Sequence, residues 1–147
     1  IRERHMEDQV VLMSLELTDV RTAQTLAPDI KVGYFATLET GDLAQLEVDF
    51  IGVKDWLAQP ELIKEIQEKN IPIYSWTVNE PIRMVELIEA GIDGIITNDP
   101  PLAHKVVNKA KSLSSDQRIL LKFRPFWKVL KKMGLWKSDA DPLVETE

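Results

Sequence analysis

Few side chains in this sequence combine a reactive type with a useful position. They are Trp76, Lys54, Thr97, Ser14, Glu16 and the two histidines, His5 and His104. An indole such as that of Trp76 offers a flat apolar wall and one N–H donor. A lysine such as Lys54 attracts a phosphate as a point charge, although without a supporting motif it reads more simply as a solvated surface lysine. The Thr97 hydroxyl can donate to a ligand or satisfy a neighbouring backbone carbonyl, and the second is the simpler role. Glu16 is a lone carboxylate with no second one spaced to join it, and Ser14 and Glu16 merely flank a strand end. His5 and His104 are too few for a multi-histidine metal centre. His104 reads as a surface helix residue. There is no cysteine, which excludes a disulfide framework, a thiolate metal site and a cysteine nucleophile.

The elements that must position these residues follow from hydrophobic periodicity. Apolar runs at Val10–Leu15, Lys31–Ala36, Phe50–Val53, Ile71–Trp76 and Ile92–Thr97 begin 19 to 21 residues apart. They lack clean polar alternation, which suits strands buried on both faces of a parallel sheet. Between them lie amphipathic helices. Thr18 or Asp19 is expected to cap the first, which runs to Leu26 before Pro28. Pro60 opens the helix over Glu61–Lys69, and Pro81 opens Ile82–Ala90, with Gly91 as its stop. The linker Leu38–Glu47 has room only for a short helix. Asn79 is placed to cap the helix after Trp76 through its side-chain oxygen, and Trp56 to pack against an outer layer with Leu57. Gly33, Gly52, Gly91 and Gly94 read as turn and close-packing residues. Five tandem strand–helix units imply right-handed crossovers.

Periodicity leaves two architectures open, a doubly wound sheet and part of a (β/α)8 barrel. The doubly wound alternative usually shows a Gly-rich loop after its first strand, whereas Ser14-Leu15-Glu16-Leu17-Thr18 stands there. In a barrel, function gathers at the C-terminal ends of the strands. Trp76 falls at such an end, and Lys54 and Thr97 fall just past two others. A closed barrel needs about 250 residues, so a chain of 147 residues opening on Ile1 reads as a piece of something longer.

The net charge of −6 hides a division. Residues 1–110 are acidic, which argues against general nucleic-acid binding. The stretch 113–137 is basic, with Arg118, Lys122, Arg124, Lys128, Lys131, Lys132 and Lys137 interleaved among Phe123, Phe126, Trp127, Leu130, Met133 and Trp136. That pattern fits an amphipathic helix over 118–137 lying on a membrane surface, with packing on a missing part of the protein as the alternative. Residues 138–147 are expected to be an acidic, disordered terminus. No apolar run is long enough to span a bilayer, and the start has no signal-peptide pattern. A cytoplasmic or peripherally membrane-attached protein is expected.

Two segments carry a family resemblance. Ile71-Pro72-Ile73-Tyr74-Ser75-Trp76-Thr77-Val78-Asn79 is followed by Ile92-Asp93-Gly94-Ile95-Ile96-Thr97-Asn98-Asp99-Pro100. The pair resembles the last two strands of the glycerophosphodiester phosphodiesterase family, with a strand ending in Trp-Thr-Val-Asn and then a Gly-Ile-Asp-Gly-Ile-Ile-Thr run. Upstream, Val10–Thr18 and Ala27-Pro28-Asp29 with Lys31-Val32-Gly33-Tyr34 are similar in order. The resemblance covers about residues 5–110. Leu15 departs from the family's Phe, and Asn98 from its commoner Asp.

The resemblance implies the C-terminal five strand–helix units of a (β/α)8 TIM barrel over 1–112, followed by the basic amphipathic tail. It implies that the Trp76 ring borders the glycerol moiety of a glycerophosphodiester, hydrolysed to an alcohol and glycerol 3-phosphate. It also implies a divalent cation, Ca or Mg, with histidines as general acid and base. The family's His-Arg-Gly and His-Asp motifs are absent from this chain, and so are its metal-binding acidic residues. No catalytic or metal residue is therefore assigned here, and this chain alone is expected to be inactive. The substrate-binding candidates are Trp76, Lys54 and Thr97. A catalytically dead barrel acting as a scaffold and a small-phosphate-binding half-barrel remain as alternatives.

Overall fold

The computed structural model describes residues 1–37 and 42–111. The basic helix expected over 118–137, the acidic end at 138–147 and the start of the linker after Thr37 lie outside the described residues. The chain forms two compact units. One takes in, among the described residues, Ile1–Thr77 and Ala90–Ile96, the other Val78–Glu89 and residues 97–111.

The first unit is a five-stranded parallel sheet with strands in sequence order. They are β1 (Val11–Ser14), β2 (Lys31–Ala36), β3 (Phe50–Lys54), β4 (Ile73–Trp76) and β5 (Gly94–Ile95). Helix α1 (Leu17–Leu26) packs on β1 and β2, and α2 (Pro60–Glu68) on β4. Sequential order with alternating helices is what right-handed crossovers between parallel neighbours produce. One sheet face is closed: Val32, Ala36, Ile51, Val53, Ile73 and Ser75 are all buried. The central strand β3 is buried on both faces from Phe50 to Val53, which explains its apolar run without polar alternation.

The other face is built from aromatic rings laid over glycines. Phe35 on β2 is the register partner of Gly52, and Phe50 on β3 that of Gly33. A Cβ at Gly33 would overlap the Phe50 ring, one at Gly52 the Phe35 ring, and one at Gly94 the Tyr74 ring. These glycines are close-packing residues, as their positions suggest. Gly91 has φ 84, a left-handed conformation that other residues adopt only with strain. Toward β1 this face opens, leaving Val11 48% and Met13 56% exposed.

The second unit contains α3 (Pro81–Glu89) and α4 (Pro100–Lys111), which pack on each other. Both begin with proline, whose fixed φ and missing N–H fit the first helical turn.

Three local expectations change. Helix α1 starts at Leu17 with Glu16 in the cap position and no side-chain cap bond. Thr18 and Asp19 are therefore inside its first turn, where the Asp19 carboxylate accepts from Ser14 Oγ at 2.9 Å. The last apolar run, Ile92–Thr97, yields strand only at Gly94–Ile95, and its flanks are tied to β4 by Asp93 and by Ile96 N, which donates to the Ser75 carbonyl at 2.8 Å. Trp56 does not pack into a layer but is 56% exposed.

Candidate functional site

The strand ends of β3 and β4 lie side by side. Lys54 is the last residue of β3, rather than just past it, and is the register partner of Trp76, the last residue of β4. Both project to the aromatic face, because residues two apart on a strand share a face and Lys54 follows Gly52 as Trp76 follows Tyr74. Phe35 stacks on the Trp76 ring, with centroids 5.3 Å apart and planes inclined by 24°. Lys54 Nζ stands over the same ring, 4.0 Å from its centroid. An ammonium at that distance is drawn by the negative face of the indole.

This cluster is half-buried, and the Lys54 and Trp76 side-chain nitrogens have no hydrogen-bond partner among the described residues. Lys54 Nζ takes part in no ion pair or hydrogen bond among the described residues. Trp76 Nε1 is shielded from solvent and meets no acceptor among the described residues. The Trp76–Thr77 peptide bond is cis. The backbone after Lys54 is tied to the same strand end, with Asp55 N donating to the Trp76 carbonyl at 3.0 Å. The exposed Trp56 follows directly; its aromatic type was visible in the sequence, but nothing there signalled that it would stay uncovered.

In the second unit, Thr97 belongs to a hydrogen-bonded turn. Its hydroxyl donates to Asn79 Oδ1 at 3.1 Å and accepts from Asp99 N at 3.1 Å. Asn79 Oδ1 also accepts from Asn98 N at 2.9 Å. Asn79, just before α3, therefore braces the 97–99 turn. The cap visible in this unit is Asp99, whose Oδ1 accepts from Leu102 N at 3.0 Å at the start of α4.

The remaining candidates are dispersed. Ser14 Oγ accepts from Glu16 N at 3.1 Å, and Glu16 is exposed. His104 lies on α4 with Nε2 3.4 Å from Asn108 Nδ2. Among the described residues no group of three or more His, Cys, Asp or Glu side chains could hold a metal ion. The described residues do not fit the divalent cation that the family resemblance implies. No helix among the described residues is long and apolar enough to cross a membrane.

The sequence profile of the glycerophosphoryl diester phosphodiesterase family matches residues 1–102. The chain belongs to that family. Among curated relatives of this glycerophosphoryl diester phosphodiesterase family member, the glycerophosphodiester phosphodiesterase of Caldanaerobacter subterraneus subsp. tengcongensis is 28% identical over 113 residues, covering 74% of this chain and 46% of the relative. One from Arabidopsis thaliana is 28% identical over 108 residues, covering 69% of this chain and 33% of the relative. The chain thus spans less than half the length of either.

Solved structures agree on the fold. A putative glycerophosphoryl diester phosphodiesterase from Silicibacter pomeroyi superposes with a TM-score of 0.70 at 24% identity, covering 74% of this chain and 41% of that one. A phosphodiesterase from Oleispira antarctica, in complex with the product sn-glycerol-3-phosphate, gives a TM-score of 0.62 at 16% identity, covering 67% of this chain and 41% of that one. The five parallel strands and their helices thus correspond to part of the TIM-barrel domain of these proteins.

Proposed function

We propose that the whole protein hydrolyses glycerophosphodiesters to an alcohol and glycerol 3-phosphate, and that this chain supplies a substrate wall at the strand ends. The observation that carries the reading is the placement of Trp76. Its indole ends β4, is half-buried, and is held by Phe35 and Lys54 on a face where a ligand of barrel type would lie. The membership of the chain in the family and the product bound by the Oleispira phosphodiesterase support glycerol 3-phosphate as the group walled.

The chemistry of this wall is packing and placement. The flat indole excludes water from the C–H edges of a glycerol unit, and immobilising that unit lowers the entropy cost of reaching the transition state. Thr97, with its hydroxyl engaged on both sides, serves its own turn. Proton transfer and cation binding fall to residues outside this chain, so the isolated chain is inactive in this reading.

Trp76→Ala in the whole protein tests the role. A wall residue predicts a fall in kcat/KM for glycerophosphocholine of at least about tenfold, roughly 1.4 kcal/mol of transition-state binding, with the folded fraction intact. A filler residue predicts lost stability, about 3–5 kcal/mol for a fully buried Trp→Ala change, with unchanged specific activity of the folded fraction. The second outcome refutes the wall.

A further inference from the structure

Lys54 and Trp76 together present only donors. An ammonium has three N–H groups and no acceptor, and an indole has one N–H and no acceptor. Lys54 has no carboxylate partner among the described residues, and the Trp76 N–H is shielded without an acceptor. Among the described residues no carboxylate pairs with the positive charge of this half-buried pair. The complementary ligand is rich in acceptor oxygens and negative.

The ammonium is also held in place before any ligand arrives. It rests 4.0 Å over the indole, and the indole in turn stacks on Phe35. Phe35 lies across Gly52, two residues before Lys54 on the same strand. A lysine so placed has less rotamer freedom to lose on binding than a free surface lysine. As a compact point charge, it discriminates by the charge of its partner more than by shape.

We propose that Lys54 binds the phosphate of the glycerol 3-phosphate unit, holds the monoester product more tightly than the diester substrate, and thereby sets product inhibition. The inference rests on the proposed hydrolysis for its assignment of substrate and product. A phosphodiester carries one negative charge. A phosphate monoester carries nearly two above its second pKa of about 6. A point charge attracts the second more strongly, so the residue that draws the substrate in also retards release of what is made from it.

The test uses the whole protein and Lys54→Met, which keeps an unbranched apolar stem against the ring. At a pH well above the monoester pKa, the inhibition constant of glycerol 3-phosphate is compared with KM for glycerophosphoglycerol. The Met variant is expected to raise the inhibition constant about tenfold and KM by clearly less. Equal changes in both, or an unchanged inhibition constant, overturn the inference while leaving the hydrolysis reading intact. If Lys54→Met does not fold, Lys54→Arg decides: it keeps the charge and is expected to hold the inhibition constant within about threefold, and a larger loss counts against a point-charge contact.

Direct binding separates the two readings. The Lys54 ε-methylene NMR signal, displaced by the indole ring current, is expected to shift on addition of glycerol 3-phosphate or inorganic phosphate but not of glycerol. A shift without any hydrolysis upholds the phosphate contact and refutes the phosphodiesterase reading. No shift with either phosphate in the wild-type protein refutes the contact.

Discussion

Asp93 repeats against Ile73 the bond that Asp49 makes to Val32. Each aspartate immediately precedes a strand, β5 or β3, and its Oδ2 accepts from a backbone N–H at the start of the preceding strand. The distances are 2.9 Å to Ile73 N and 2.8 Å to Val32 N. Each also returns a bond in the opposite sense, Asp93 N to the Ile73 carbonyl at 3.2 Å and Asp49 N to the Val32 carbonyl at 2.9 Å. The carboxylate completes the ladder where a parallel strand begins, and a charged acceptor makes a stronger bond than a carbonyl.

Removing either acceptor leaves a part-buried N–H unpaired, at a cost of about 1–3 kcal/mol. Asp93→Ala and Asp49→Ala are each expected to lower stability by that amount in urea unfolding. Asp93→Asn keeps a carbonyl acceptor and costs less. The effect at Asp93 extends to α2, because Gln67 Nε2 donates to Asp93 Oδ2 at 3.0 Å and to the Gly91 carbonyl at 2.8 Å. Equal stabilities for the Ala and Asn variants would remove the carboxylate from this role.

Gly52→Ala tests the aromatic face. A methyl at this position overlaps the Phe35 ring, and Phe35 stacks on Trp76. Overpacking of this kind costs about 1–3 kcal/mol, and moving Phe35 disturbs the indole that supports Lys54. Gly91→Ala serves as a contrast, since nothing lies within 4 Å of an added Cβ there and its φ is +84. Gly52→Ala is expected to lower both the melting temperature and Trp76-dependent activity, whereas Gly91→Ala lowers only the first. Unchanged activity of folded Gly52→Ala protein would uncouple Phe35 from the site.

The strands and helices were legible because their signals are local. Pro60 and Pro81 mark the starts of α2 and α3, and Lys31–Ala36 is a strand from end to end. The Trp76 strand end was legible too, from its apolar run and from the Trp-Thr-Val-Asn resemblance. Contacts between strands were not. The pairing of Lys54 with Trp76 depends on register across β3 and β4, which no spacing along the chain encodes. Likewise, Asn79 stands two residues before Pro81 and reads locally as a helix cap, and its bonds to Thr97 and Asn98, 18 and 19 residues away, have no local signal. Asp49 and Asp93 were missed because a single aspartate before a strand resembles an ordinary turn residue; their shared position before an apolar run was the available signal.

Acid titration should single out Asp29. Its carboxyl is held below the usual 3.8, first by a backbone hydrogen bond and then by the Arg2 guanidinium, 2.6 Å away. A carboxyl with a depressed folded-state pKa adds stability that is fully present above its unfolded value and fades as pH falls through the folded one. The contribution therefore disappears below pH 3.8. Arg2→Gln removes the ion pair but not the backbone bond, so the Asp29 pKa is expected to rise while staying below 3.8. A carbon-13 NMR titration of the side-chain carboxyl reads this directly. A return to the ordinary value in Arg2→Gln would make the guanidinium the dominant cause.

The turn around Thr97 offers a test of coupling. Asn79 Oδ1 receives two donors, Thr97 Oγ1 and Asn98 N, and Thr97 passes the constraint on by accepting from Asp99 N. Asp99 then caps α4. These groups are exposed, so water replaces a lost partner, and Asn79→Ala is expected to cost about 0.5–1.5 kcal/mol. Thr97→Val removes the hydroxyl at nearly constant shape, with a similar cost. Because the two residues share a bond, their effects should not add, and a double-mutant cycle should return a coupling of at least about 0.5 kcal/mol. Asn79→Asp keeps the acceptor and is expected to retain most of the stability. If the cycle returns zero coupling while each single change is destabilising, Asn79 and Thr97 act on α4 separately. The chain of bonds from Asn79 to the helix cap would then carry no load of its own.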